Sequence, residues 1–131
     1  MIVLKDQKIA RNPIARAIAA QQLKKRMIDH RIQLFLLNEG DNAAEHILPI
    51  SDAIFVMAYA LGECGQEDSV DHRKLRSAML ALVDCSKRGF TWRRSEAITI
   101  DNAIDICVSR WRSIPVDILQ EAIAHISNTM K

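Results

Sequence analysis

Apolar residues recur at spacings of three and four over most of this chain, which is the repeat of an amphipathic α-helix. Asn12 followed by Pro13 reads as a helix N-cap with proline in the first turn, and we expect a helix from there to about Asn38, before Gly40. Its central apolar stripe consists of Ala20, Leu23, Met27, His30, Leu34 and Leu37. The pattern predicts a long first helix whose second half is buried on a broad face.

The middle of the chain lacks a polar face. Residues 51–61 are almost entirely apolar, and a helix that is apolar on all sides belongs at the centre of a bundle or at an oligomer interface. Pro49 precedes them, and a proline within a helix removes one backbone hydrogen bond. We therefore expect a short helix from Asp41 to Leu48, a break at Pro49, and a separate central apolar helix that ends at Gly62 and Gly65.

Three further helices are predicted over about residues 70–88, 101–111 and 116–130. Ser69 is the predicted N-cap of the first, and Thr99 or Asp101 that of the second. Residues 90–100 fit a connector, a short strand or an early helical turn, so the start of that second helix stays open. Residues 1–10 are predicted to form an N-terminal arm or a short strand, because they contain the β-branched Ile2 and Val3.

Composition agrees with a helical protein. The chain has 131 residues, of which 49% are apolar and 26% charged, and it has only four glycines and three prolines. A chain of this length can bury a core without metal or disulfide help, and it has too few turn residues for a sandwich or barrel of short strands. We therefore predict a single compact all-α domain over residues 11–131, a bundle of five or six helices.

Cysteine usage and hydropathy bear on the compartment. Cys64, Cys85 and Cys107 are an odd set without close spacing, which favours a reducing environment over a disulfide framework. The first residues do not resemble a secretory signal, and the longest apolar stretch, residues 54–61, is too short to cross a membrane. We expect a cytoplasmic protein without a membrane segment. Cys64, between two glycines, is the thiol we expect to be accessible, with no role assigned to it.

Charge is distributed unevenly along the chain. Residues 1–35 carry eight basic and two acidic side chains, residues 36–70 carry seven acidic and no basic ones, and residues 71–131 carry ten basic and seven acidic ones. The balances of +6, −7 and +3 add up to the formal net charge of +2. Segments of opposite sign can attract each other within one fold, attract a second copy, or attract a partner of either sign.

Two basic clusters are candidate contacts for nucleic acid or for an acidic partner. They consist of Lys24, Lys25 and Arg26 in the first helix, and of Arg93 and Arg94 beside Trp92. Basic side chains bind phosphates, and a tryptophan offers a stacking surface for bases. The same residues are also explained by solvated helix faces, or by pairing with the acidic segment over residues 39–68.

No motif predicts catalysis, a cofactor or a metal. The four histidines, His30, His46, His72 and His125, show no ligand spacing with each other or with the cysteines. No glycine-rich phosphate loop is present, and Asp101 with Asp105 is explained by a solvated helix face. His30 lies in the apolar stripe of the first helix, which favours a core or interface histidine over a metal ligand.

These features favour binding over catalysis. We predict a small helical protein-binding module that acts as an adaptor, regulator or inhibitor of another protein and self-associates as a homodimer or larger homo-oligomer. Leu23, Met27 and Leu34 are the candidate apolar interface, because broad apolar helix faces are commonly covered by a partner. A larger core within one monomer is the competing explanation. The alternative function is a nucleic-acid-associated protein that uses a basic helical face.

Overall fold

The computed structural model describes residues 11–37, 43–89 and 93–129, and this part of the chain forms five α-helices. In chain order they are α1 (Pro13–Leu37), α2 (Ala43–Glu63), α3 (Val70–Lys87), α4 (Arg94–Trp111) and α5 (Val116–Thr129). The predicted all-α bundle with a long first helix is confirmed. The predicted arm over residues 1–10 lies outside the described residues.

Helix α2 is the centre of the bundle. Each of the other four helices packs against it, and α4 also packs against α1 and α3. Its fully buried side chains cover about half of the helix circumference, and Phe55 and Tyr59 on the opposite side are half-buried: the fully buried ones are Ile50, Ile54, Val56, Met57, Ala60 and Leu61. Burial of such apolar side chains, at roughly 25 cal/mol per Å² of area removed from water, is the main force that holds this arrangement together.

The predicted break at Pro49 is wrong, because α2 continues through it from Ala43 to Glu63. A proline in a helix interior costs about 3 kcal/mol through its missing N–H and its steric clash with the preceding turn. Ile47 and Ile50, on either side of Pro49, are both buried in the common core. Tertiary packing on both sides of the proline therefore outweighs its local penalty, and one long helix replaces the two predicted short ones.

The helix starts follow local capping chemistry. The Asn12 side-chain oxygen accepts hydrogen bonds from the backbone N–H groups of Ile14 and Ala15, at 2.9 and 3.2 Å. The Ser69 hydroxyl oxygen accepts one from the N–H of His72, at 3.1 Å. Both predicted N-caps are thereby confirmed.

Helix α4 begins earlier than predicted, at Arg94 instead of near residues 99–101. The Glu96 carboxylate accepts a hydrogen bond of 2.9 Å from the backbone N–H of Arg93, which satisfies one of the free donors at the helix start. The same carboxylate pairs with the Arg88 guanidinium at the end of α3. Residues 90–92, including Trp92, lie outside the described residues.

The buried side chain of Arg16 links the start of α1 to the end of α4 through hydrogen bonds. Arg16 is only 8% exposed, and its guanidinium donates hydrogen bonds to the backbone carbonyls of Trp111 and Ile114, the latter at 2.9 Å. These carbonyls belong to the last turn of α4 and the residues just after it, where carbonyls lack helical partners and carry partial negative charge. Desolvation by burial lowers the pKa of Arg16.

None of the described helices is long and apolar enough to span a membrane.

Candidate functional site

Two of the five basic residues of α1 are paired with carboxylates of α4. The Nζ atom of Lys24 lies 3.7 Å from Asp105, and the Nε atom of Arg31 lies 2.5 Å from Asp101. Two of the acidic partners of α1 are therefore the aspartates that looked like a solvated helix face. Lys25 is exposed and Arg26 is half-buried.

The second basic cluster is separated from the first. Arg93 and Arg94 are exposed at the start of α4. Arg94 lies eleven residues before Asp105 in the same helix, which is about 16 Å along the helix axis. Asp101 and Asp105 stand between this end of α4 and Lys24. The structure thus does not join the five candidate contact residues into one uniformly basic surface.

The candidate apolar interface is largely core. Leu23 is 1% exposed and Met27 is fully buried, because the stripe that carries them faces α2 and α4 inside the same chain. They are accordingly core residues instead of an accessible interface, which favours the competing explanation of a larger core. The side chain of Leu34 lies outside the described ones. Among the described side chains of α1, the large apolar ones that are exposed are instead Ile14 and Ile18, at 75% and 55% exposure.

A groove between α2, α3 and α5 combines apolar and charged side chains. It has a volume of about 470 Å³. Its apolar lining is formed by Phe55, Ala58, Met79 and Ile126, and its polar lining by Tyr59, Glu63, Glu67, Asp68, His72 and Arg76. Concave sites with an apolar lining and a few polar groups are where proteins usually bind ligands and peptide segments. We define this feature as the acidic groove, from its three carboxylates.

The acidic groove contains part of the negative segment found in the sequence. Glu63, Glu67 and Asp68 are exposed around the end of α2 and the turn that follows it. A single cation, Arg76, lines the groove with them. By contrast Asp52, from the same segment of sequence, is buried in α2 at 1% exposure and adds nothing to this surface. The charged side chains that line the groove therefore carry a net charge of −2, from three carboxylates and one guanidinium.

Aromatic and histidine side chains line the groove beside these carboxylates. The ring of Tyr59 stacks on that of His125, with centroids 4.3 Å apart, and its hydroxyl contacts the Glu121 carboxylate at 3.4 Å. Desolvation, followed by the nearby Glu63 and Glu121 carboxylates, raises the pKa of Tyr59. The Nδ1 atom of His72 is buried without a hydrogen-bond partner in the described part of the chain.

The cysteines give no sign of an activated nucleophile. Cys85 and Cys107 are buried, and burial raises their pKa values to about 11 and about 12. A thiol with a raised pKa is a poor nucleophile at neutral pH. Cys64 is half-buried against the core, less accessible than the flanking glycines suggested.

Two histidines that are 16 positions apart in sequence come together where α1 and α2 pack. The Nδ1 atoms of His30 and His46 are 3.0 Å apart, and the ring centroids are 5.3 Å apart. Desolvation by burial, and then the neighbouring His46, lower the pKa of His30. Within the described residues no group of three or more histidine, cysteine or acidic side chains is placed to hold a metal ion.

Sequence reasoning missed the acidic groove and the histidine pair, because both depend on how helices pair in space. One part of the groove could be predicted, because residues 62–68 combine two glycines with three acidic residues, as an exposed loop does. Nothing in the sequence indicated that residues of α3 and α5 would lie opposite this loop. The histidine pair had none at all, since neither residue is near the other in the chain.

Comparison of the chain with protein-family models, with curated proteins and with solved structures finds no match. The functional conclusion therefore depends on the geometry described above.

Proposed function

We propose that this protein is a small helical binding module whose acidic groove takes a basic, amphipathic helical segment of another protein. The observation that carries the proposal is the combination in one groove of an apolar lining with three exposed carboxylates, Glu63, Glu67 and Asp68. Such a module would act as an adaptor, regulator or inhibitor. Whichever of these it is, the recognition chemistry is the same.

The lining of the groove suits one amphipathic helix. Grooves that bind helices take apolar anchors at three-four spacing, and here Phe55, Met79 and Ile126 offer half-buried apolar contacts from three different helices. Basic side chains on the flanks of the bound helix would meet the carboxylates at the end of α2. Charge complementarity of this kind speeds association and rejects acidic competitors.

The same groups support binding better than catalysis. Tyr59 and His72 line one groove, but no cysteine lines it, and the Cys85 and Cys107 thiols have raised pKa values.

The test uses two labelled helical peptides of equal length. One has leucines at three-four spacing and lysines elsewhere, and the other has glutamates in place of the lysines. We expect the lysine peptide to bind, measured by fluorescence anisotropy, and the glutamate peptide to bind at least about tenfold more weakly. The double variant Glu63→Lys/Glu67→Lys should weaken lysine-peptide binding by about tenfold, since it reverses two of the three acidic charges.

The matched control is the double variant Asp84→Lys/Asp117→Lys, at two exposed acids of α3 and α5 outside the groove lining. It makes the same change in net charge, and we expect it to leave lysine-peptide binding within about twofold, as exposed charges far from a contact interact weakly through water and salt. Equal losses for the groove and control variants would show that only net charge matters and would overturn the proposal. So would equal binding of the two peptides.

The nucleic-acid alternative has less support from the geometry. Lys24 is paired with Asp105, which lies about 16 Å along α4 from Arg94 in the second basic cluster. Short duplex DNA belongs in the same anisotropy assay as a competing ligand. The nucleic-acid function would be favoured if the protein bound DNA with an affinity that falls steeply between low and moderate salt and did not bind the lysine peptide. That result would overturn the proposal of a peptide groove.

Self-association is a second proposal, and it depends on α1. Ile14 and Ile18 are exposed on the same side of its first turns, with Pro13 and Ala17 beside them. We propose that a second copy covers this patch. A two-fold contact places a surface against itself, and the patch centre is uncharged, so such a contact brings no like charges together there.

Light scattering at increasing protein concentration tests this pairing. We expect the mass to rise from the monomer value of 14.8 kDa towards twice that value, and Ile18→Glu to hold the chain at the monomer mass. Leu80→Glu, at an apolar position on α3 that is 67% exposed, is the control that should still dimerise. A wild-type chain that stays monomeric at every concentration overturns the pairing.

A further inference from the structure

The Nδ1 atoms of His30 and His46 are so close that either one proton or one metal ion must lie between them. Each neutral imidazole has one nitrogen that donates and one that accepts, so two Nδ1 atoms at 3.0 Å fit together directly only if one carries hydrogen and the other does not. If both rings were protonated, two cations would face each other at this distance. A metal ion between the rings avoids both restrictions, since it binds a lone pair from each.

The separation agrees with two ligands of one metal ion. Nitrogen ligands lie about 2.0–2.1 Å from a first-row divalent metal. Two such ligands at right angles are therefore about 3.0 Å apart, and two at the tetrahedral angle about 3.4 Å. The observed 3.0 Å corresponds to right-angled positions, which Ni²⁺ and Cu²⁺ favour.

We propose that His30 and His46 form a two-histidine site for a divalent transition-metal ion, which bridges α1 and α2 with water in the remaining positions. Both side chains are half-buried, so the site is open to solvent on one side and fixed by packed helices on the other. The site is independent of the acidic groove.

The surroundings are compatible with a cation. Of the charged neighbours that influence His30, Asp29 is acidic and Arg26 is basic, both on α1, and His46 on α2 is the remaining titratable neighbour. Burial lowers the pKa of His30, which keeps its ring unprotonated and able to bind metal at neutral pH. Protons compete with the metal for the same nitrogen lone pair as the pH falls through the lowered pKa of His30, so the metal affinity should fall with it.

Calorimetric titration of the full chain with Ni²⁺ at pH 7.5 tests the site. We expect one ion per chain, and at least about tenfold weaker binding for either His30→Gln or His46→Gln. Removal of one ligand converts a two-point chelate into a single contact and forfeits the effective concentration of the second ligand. Glutamine can still hydrogen-bond across the helix contact, so these variants should retain the fold, which circular dichroism verifies.

The matched controls are His125→Gln and His72→Gln, which remove the other two histidines and should leave Ni²⁺ binding within about twofold. Paramagnetic resonance of the Cu²⁺ complex adds a structural readout. Coupling to two imidazole nitrogens is expected in the wild-type chain and to one in either His30→Gln or His46→Gln. Equal losses for all four variants, or a wild-type signal from one nitrogen only, would overturn the proposal.

Discussion

Replacing Ile54 by aspartate is expected to abolish most of the folding stability of the chain, with a loss of more than about 5 kcal/mol in the free energy of unfolding. Ile54 is fully buried in the middle of α2, the helix against which all four others pack. The change removes apolar contacts worth roughly 2–5 kcal/mol and places a carboxylate where nothing solvates it, at several kcal/mol more. Single domains are stable by only about 5–15 kcal/mol in total.

The matched control is Ile98→Asp, on α4, where the same residue type is 53% exposed. We expect its cost to stay below about 1 kcal/mol, because surface substitutions seldom change stability by more. Circular dichroism with thermal and urea unfolding measures both variants. An Ile54→Asp chain with the unfolding midpoint of the wild type would contradict the central placement of α2.

Replacing Arg16 by methionine is expected to lower the free energy of unfolding by about 2–4 kcal/mol, an unusual effect for an arginine. Its guanidinium donates to the carbonyls of Trp111 and Ile114, and hydrogen bonds to a charged group are worth about 1.5–3 kcal/mol each. Without it these buried carbonyls lose their partner at the end of α4. Methionine retains much of the apolar stem, so the loss reports mainly the hydrogen bonds.

Arg11 provides the comparison, five residues earlier in the chain. It forms an ion pair with Asp117 at 3.1 Å, but the two side chains are 71% and 83% exposed. Exposed ion pairs contribute about 0–1 kcal/mol to stability, so Arg11→Met should change the free energy of unfolding, measured with urea, by less than about 1 kcal/mol. If the two substitutions had equal effects, the Arg16 contact would be no more than a surface interaction.

Local chemistry decided much of the secondary structure. Asn12 and Ser69 cap helices because their side-chain oxygens reach backbone N–H groups two or three residues ahead, a relation contained within a few residues of sequence. The apolar residues over 51–61 predicted a central helix, since a segment without a polar face can only be stable when it is covered on all sides. The fold class and the identity of the central helix could be predicted for these reasons.

Where local and long-range effects compete, the prediction failed. Pro49 argued for a break, but buried neighbours on both sides keep α2 continuous. Leu23 and Met27 looked like an interface because their stripe is broad, and the sequence could not show that α2 and α4 would cover it. The amount of apolar surface on a helix can be read from its residues, but not which neighbour covers it.

The sequence by itself determined that the chain forms a helical bundle around residues 51–61, that its termini and middle differ in charge, and that several helices start where they do. These properties depend on interactions within a few residues or on composition. Only the tertiary structure decided that Lys24 and Arg31 pair with α4, that Arg16 closes the end of that helix, and that His30 meets His46. These contacts join residues from 16 to 98 positions apart, and their geometry is set by the packing of the helices that carry them.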